Sequence, residues 1–269
     1  MIQPITFPGL GVSFTINPIA FSILGISIHW YGIIIATSFA LAFLLANKDS
    51  KTFGINQNDV TDLLIVVAPL AIIGARLYYV AFEWSNYKNN LLEVINIHHG
   101  GLAIYGGILT AVAVAFVFTK KRKINVLNLF DFLIPYVALA QSIGRWGNFV
   151  NQEAHGTETN LPWRMGIFDP SKMQIVLVHP TFLYESLWNL GLFFLLLWFR
   201  KKKKIDGEVF VLYLALYGFA RFFIEGLRTD SLFIGTFRVS QMLAGLFFIT
   251  GITLFFVRRY KLKTKLYDN

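Results

Sequence analysis

The chain has 269 residues, 55% of them hydrophobic and only 14% charged. An ordinary soluble domain carries about 25% charged residues, and one this apolar would expose aggregating patches, so a soluble fold is excluded. The formal net charge of +9 does not point to nucleic acid, because the basic residues lie in short runs between apolar stretches, and the absence of cysteine excludes disulfides, a thiolate nucleophile and cysteine-ligated metal.

The N-terminal stretch MIQPITFPGLGVSFTINPIAF lacks a basic n-region and a small-residue cleavage site, so no removable signal peptide is expected. Apolar runs of membrane-spanning length then follow at about 22–46, 61–82, 101–119, 129–149, 181–199, 209–226 and 239–257. Gly25, Ser27 and His29 interrupt the first run, so its helix is expected to begin nearer Ile28. The fourth carries Asp131, Pro135, Gln141 and Arg145, which a membrane tolerates where protein or water covers them. The pattern predicts an all-α integral membrane protein, a bundle of about seven transmembrane helices. We expect residues 1–269 to form a single transmembrane domain, with segment 150–180 as a small extracytoplasmic head.

The loops predict the orientation. Lys48, Lys51, the run 120–123, the run 200–204 and the basic residues 258–265 place sixteen of the twenty-four lysines and arginines on one side. The positive-inside rule puts that side in the cytoplasm. With seven spans, the N-terminus is then outside and the C-terminus inside.

On this topology the unusual polar residues share one layer, toward the outer side. His29, His98, His99, His155, His179, Arg76, Arg145, Glu185, Arg221 and Glu225 all fall there. A charge inside a bilayer costs roughly 2.5–3.5 kcal/mol on insertion scales, so it persists where it is paired, wet or functional. The inner halves read as continuous Leu, Phe and Val. That argues against an ion path, which needs polar lining to both faces.

Four segments carry the signal. In GRWGNFVNQEAHG (144–156), Arg145 and Asn148 are three apart and share a helix face. A permanently charged, forked guanidinium beside amides suits a phosphodiester. In HPTFLYES (179–186), Pro180 is expected as the first helical position; His179 is open to a capping or a catalytic role, and Glu185 faces inward. In YGFARFFIEGLR (217–228), Tyr217, Arg221, Glu225 and Arg228 form one stripe on a helix. In HHGGLAIYGG (98–107), paired glycines allow a sharp turn and close approach of a lipid head group. No third ligand accompanies the adjacent histidines at useful spacing, so no metal site is expected.

These segments, together with His29-Trp30-Tyr31-Gly32 in span one, resemble the phosphatidylglycerol–prolipoprotein diacylglyceryl transferases. The resemblance runs from span one to span six. It implies an enzyme of the bacterial cell membrane that transfers diacylglycerol from phosphatidylglycerol to the lipobox cysteine of a prolipoprotein, leaving a thioether and glycerol 1-phosphate. It implies Arg145, Arg221, Glu153, Glu225, His179 and Tyr31 as catalytic residues. It also implies that Arg145, Asn148, Asn151, Gly156, Tyr217, Arg221, Glu185, Arg228 and Tyr105 contact phosphatidylglycerol. Tyr105 stands where many family members have histidine, and a phenol is a poorer base than an imidazole near neutral pH. No metal or organic cofactor is expected. The expected partners are phosphatidylglycerol, the prolipoprotein lipobox segment and the membrane, with no nucleic acid.

Overall fold

The computed structural model describes residues 3–96 and 100–267, with side chains through residue 262; His98 and His99 lie outside the described residues. The chain begins with strands β1 (Ile5–Phe7), β2 (Val12–Phe14), β3 (Ile19–Ile23) and β4 (Ile26–His29). Helices α1 (Trp30–Asp49), α2 (Gln57–Phe82), α3 (Trp84–Tyr87), α4 (Ile104–Arg122) and α5 (Val126–Asn151) follow. Then come β5 (Met165–Asp169), β6 (Gln174–Val178), α6 (Thr181–Phe199) and α7 (Glu208–Leu227). The hairpin β7 (Phe233–Ile234) and β8 (Phe237–Arg238) leads into α8 (Val239–Tyr267).

Among the described residues, seven helices are long and apolar enough to cross a membrane. The protein is a mostly helical integral membrane protein. Its first span starts at Trp30, past the start of the apolar run at 22 and close to the start expected nearer Ile28, because 19–29 form the β3–β4 hairpin. Leu24 and Gly25 supply the turn with φ of 51° and 81°, the two positive values that a tight hairpin turn needs. Trp30 N–H donates to Pro18 O at 2.9 Å, closing the hairpin where α1 begins.

The described chain forms two compact units. One comprises residues 45–132, chiefly α2 and α4. At one end of this pair Arg122 pairs with Asp62 and lies 3.6 Å from Asp59, two acids of the first turns of α2. Toward the other end of α2, Arg76 is buried and donates five hydrogen bonds, all to backbone carbonyls. Its Nε reaches Val94 O, Nη1 reaches Gly100 O and Gly101 O, and Nη2 reaches Glu93 O and Asn96 O, at 2.5–2.9 Å. Five donors are all a guanidinium has, so Arg76 is fully used in holding residues 93–96 and 100–101. The paired glycines serve the same clamp. Gly100 and Gly101 have φ of 85° and 78°, and a Cβ on Gly101 would strike Arg76 and Tyr79. The glycine turn, expected to admit a lipid head group, thus receives an arginine.

The other unit comprises residues 1–44 and 133–269. Its sheet has the order β2-β1-β5-β6, with every pairing antiparallel. The head expected at 150–180 thus contains a hairpin extended by two N-terminal strands, which the apolar-run search did not resolve. Alternate residues of this sheet, Ile5, Met165, Ile167 and Val178, are buried with Phe149, Val150 and Phe182 from the ends of α5 and α6. The Phe149 and Phe182 rings are 4.8 Å apart, and Trp146 lies 5.5 Å from Phe182. This aromatic core fixes the C-terminal end of α5 against the N-terminal end of α6. At the far end of α7, fully buried Glu208 accepts from Arg259 Nε at 2.8 Å and from Lys204 N–H at 2.7 Å. The charge is taken up where α7 starts and α8 ends, leaving the opposite end of the unit for the site.

Candidate functional site

The site grows from one end of α5, α6 and α7. Helix α5 stops because Gln152 takes φ of 55°. Gln152 N–H donates to Phe149 O at 3.1 Å and Glu153 N–H to Asn148 O at 3.0 Å, the paired bonds of a Schellman ending. This turn folds Glu153 back over the last helical turn. Asn148 then donates Nδ2 to Glu153 Oε1 at 2.8 Å and accepts from Arg145 Nη1 at 3.2 Å. The i, i+3 pair read from the sequence is a direct contact.

Arg145 next donates Nη2 to Glu185 Oε1, and Arg221 donates Nη1 to Glu185 Oε2 at 2.8 Å. One carboxylate, 4% exposed, joins two guanidiniums from two other helices. Arg221 Nη2 also meets Glu225 Oε2 at 2.5 Å, and Arg228 Nε lies 4.0 Å from that oxygen. Arg228 is held in turn by Asp230, to which Nε and Nη2 donate at 2.8 and 2.6 Å. The result is an unbroken chain of polar contacts from Glu153 to Asp230. The stripe of α7 contributes Arg221, Glu225 and Arg228 to it. Tyr217, one turn below Arg221, stacks on Tyr213 with ring centroids 5.3 Å apart.

Isolated charges at this depth would be expensive. In the network each buried carboxylate has a cationic neighbour, and the arginines outnumber the buried carboxylates. Arg145, Arg221 and Arg228 face Glu185 and Glu225, with side chains 13–23% exposed for the arginines and 2–4% for the acids. The more exposed carboxylates Glu153 and Asp230 close the two ends. Three guanidiniums converging beside an amide-rich helix end present donors suited to an anionic group.

His179 and Gly156 form the wall next to this chain. Gly156 N–H donates to His179 O at 3.0 Å, and His179 N–H donates to Thr157 O at 3.0 Å. A Cβ on Gly156 would lie 2.7 Å from the His179 Cβ and 3.0 Å from Thr181 Cγ2, so only glycine fits. On the other side Gly156 bridges Arg228 in antiparallel fashion, and Thr157 N–H donates to Leu227 O at 2.8 Å. Segment 155–157 thereby ties the start of α6 to the end of α7. The His179 Nδ1 is 3.2 Å from the Tyr184 hydroxyl, which accepts from Trp163 Nε1 at 2.7 Å. Burial lowers the His179 pKa below its ordinary value of 6.5, favouring neutral imidazole. Pro180 sits just outside α6, whose first residue is Thr181; the Thr181 hydroxyl donates to Ala154 O at 2.5 Å.

Tyr31, in the first turn of α1, lies over Gly147. A Cβ there would be 2.7 Å from the Tyr31 ring, so this glycine admits a side chain of the same unit beside Arg145 and Asn148. Asn151 ends α5 and lines a cavity of about 760 Å³ with His155, Gly156, Ile167, Lys172 and Val176. Tyr105, the second residue of α4, belongs to the unit of residues 45–132. Among the described residues no three His, Cys, Asp or Glu converge in a metal-binding group.

The sequence reading missed Asp230 and the polar layer beneath the arginines. The Asp230 signal was its position two residues after Arg228. In that layer Ser142 Oγ donates to Ser186 O at 2.8 Å, Trp146 Nε1 donates to Ser186 Oγ at 3.2 Å, and Tyr213 donates to Gln141 Oε1 at 2.8 Å.

A profile of the prolipoprotein diacylglyceryl transferase family matches residues 18–257. A phosphatidylglycerol–prolipoprotein diacylglyceryl transferase of Finegoldia magna is 50% identical over 237 residues, covering 88% of this chain and 93% of the relative. One of Clostridioides difficile is 48% identical over 234 residues, covering 87% and 92% respectively. One of Listeria welshimeri is 46% identical over 258 residues, covering 94% and 93%. The chain belongs to the prolipoprotein diacylglyceryl transferase family.

Proposed function

We propose that this chain transfers the diacylglyceryl group of phosphatidylglycerol to the lipobox cysteine of a bacterial prolipoprotein. The observation that carries the proposal is the bridge of Arg145 and Arg221 through Glu185. It holds two guanidiniums on one carboxylate within one unit, so that a lipid phosphate can be gripped from two sides.

The donor phosphate sits against Arg145, Arg221 and Arg228, with Asn148, Asn151, Gly156 and Tyr217 around it. Glu185 and Glu225 act through the arginines they orient. The thiol sulfur attacks the glycerol carbon bonded to phosphate. A C–S bond forms, the C–O bond breaks with its electron pair on oxygen, and glycerol 1-phosphate leaves. Charge grows on the leaving oxygen, where preorganised donors act most strongly. The thiol proton must go to a base, since a free thiol is mostly protonated below about pH 8.5. His179 is the group we assign: in the tautomer that donates Nδ1–H to the Tyr184 oxygen, its Nε2 keeps a lone pair. Glu153 holds Asn148, and Tyr31 closes the same side of the site. Tyr105 is assigned to lipid contact rather than proton transfer. These residues supply the charge and the base, and we assign no metal or cofactor.

The same reading makes the chain one transmembrane domain in a bacterial cell membrane. The basic loops face the cytoplasm and the arginine site faces the extracytoplasmic side, as the positive-inside rule dictates. There the acceptor cysteine arrives after translocation.

The test is reconstitution of the purified full chain with phosphatidylglycerol labelled in its acyl chains and a lipobox peptide. Label should move to the cysteine peptide and not to its serine counterpart. Absence of transfer to the cysteine peptide by active-lipid vesicles would sink the proposal.

A further inference from the structure

The end of α7 holds an arginine whose direction is set from outside the helix. Arg228 is the residue after α7, and its backbone is fixed by the bridge to Gly156 and by Thr229 N–H donating to His155 O at 3.4 Å. Its side chain is fixed separately. Asp230 Oδ1 accepts from Nε at 2.8 Å and Oδ2 accepts from Nη2 at 2.6 Å. Such a two-point fork sets the plane of the guanidinium as well as its distance. It occupies the Nε edge and leaves Nη1 without a hydrogen bond among the described residues. The arginine is the less exposed partner, 13% against 46% for the aspartate. Arg228 is only partly buried, so the unused Nη1 stays open to an incoming anion rather than shut inside the protein. By contrast, Arg76 uses all five of its donors.

We propose that Asp230 is a positioning residue, which fixes Arg228 so that Nη1 donates to a phosphate oxygen of the phospholipid donor. The inference rests on the reading of Arg228 as a phosphate ligand given above. Asp230 is suited to the role because it stays ionised. Burial pushes its carboxyl upward, but the hydrogen bond and charge of Arg228 outweigh this and hold it below the ordinary value. A carboxylate that retains its charge keeps the fork closed while the lipid comes and goes.

The experiment compares Asp230→Asn, Arg228→Ala and the double variant, each purified as the full chain in phosphatidylglycerol vesicles. Apparent KM is read separately for the lipid and for a lipobox peptide, beside the thermal midpoint. Hydrogen bonds to charged groups contribute about 1.5–3 kcal/mol, or about tenfold or more in binding. Asp230→Asn should therefore raise the lipid KM about tenfold or more, leaving the peptide KM and the midpoint unchanged. In the Arg228→Ala background the same change should have no further effect. A multiplied defect in the double variant would make Asp230 merely structural and overturn the proposal. Equal or tighter lipid binding by Asp230→Asn would also overturn it, because the aspartate would then only compete with lipid for the arginine. Wild-type transfer by Arg228→Ala would sink the reading of Arg228 itself, a result distinct from either of these.

Discussion

Glu185 on α6 accepts from Arg221 on α7 at 2.8 Å across 36 residues of sequence. Its second oxygen accepts from Arg145 on α5. The carboxylate is both the counter-charge that makes two buried arginines tolerable and the spacer that keeps them converging. Removing one partner of a buried pair typically costs about 3–5 kcal/mol. With three cationic groups in the network, loss of one arginine still leaves Glu185 paired.

That redundancy separates folding from activity. Arg145→Ala and Arg221→Ala are each expected to insert and purify as the wild type does. Each should lose at least about 10²-fold in transfer, the usual effect of deleting one preorganised donor at a developing charge. Labelled-lipid transfer in vesicles, beside detergent-solubilised yield, measures both. Full activity in either variant would remove the phosphate-binding role of that arginine.

The pH dependence follows from His179. Burial favours its neutral form, so its pKa lies below the ordinary 6.5. As a base it works when deprotonated. Transfer should therefore be at its plateau with respect to this group at neutral pH, and fall as pH drops through a midpoint below 6.5. His179→Asn should be slow and should lack that acid limb. The measurement is kcat/KM for the peptide against pH, which reports the free enzyme. An acid limb of unchanged midpoint in His179→Asn would assign the proton to another group.

Arg76 gives a prediction about folding alone. Its five donors satisfy carbonyls of Glu93, Val94, Asn96, Gly100 and Gly101. Lysine has three donors at one point and cannot match that fan. Arg76→Lys should therefore leave some of these carbonyls without their donor and loosen residues 93–96 and 100–101. Hydrogen exchange should show faster exchange there, with α6 and α7 unaffected. Unchanged protection in 93–96 and 100–101 would show that the clamp is dispensable.

What could be read beforehand divides along physical lines. Span positions were legible because lipid demands uninterrupted apolar length, and the α7 stripe because helical period alone puts residues 217, 221, 225 and 228 on one face. The contact of Arg145 with Asn148 was legible for the same reason. The four-stranded sheet was not, because β1 and β5 are some 160 residues apart in sequence and each strand is short. The β3–β4 hairpin was hidden inside an apolar run, where Leu24 and Gly25 make a turn that hydropathy does not register. The partners of Arg76 were not legible, because a charge in a span says only that it is satisfied, and not by what. Backbone carbonyls of a following loop carry no signature in side-chain patterns.

The last prediction concerns Asn189, one turn along α6 from Glu185. It is fully buried, and among the described residues neither end of its carboxamide has a hydrogen-bond partner. Its neighbours on that face of α6 are Glu185, Ser186 and the apolar Leu192 and Phe193. A buried polar group left unpaired costs about 1–3 kcal/mol, whereas an apolar group of similar shape carries no such penalty. Asn189→Leu adds bulk, and overpacking can cost a comparable amount, but the side chain it introduces suits the Leu and Phe that continue the face. The variant should thus unfold at a higher temperature than the wild type while retaining transfer, as Asn189 touches neither Arg145 nor Arg221 through a hydrogen bond. Thermal unfolding in detergent, followed by intrinsic tryptophan fluorescence, reads the midpoint. A lowered midpoint, with the smaller Asn189→Ala lowered as well, would mean that the carboxamide is satisfied by bound water and that its burial stabilises the helix contact.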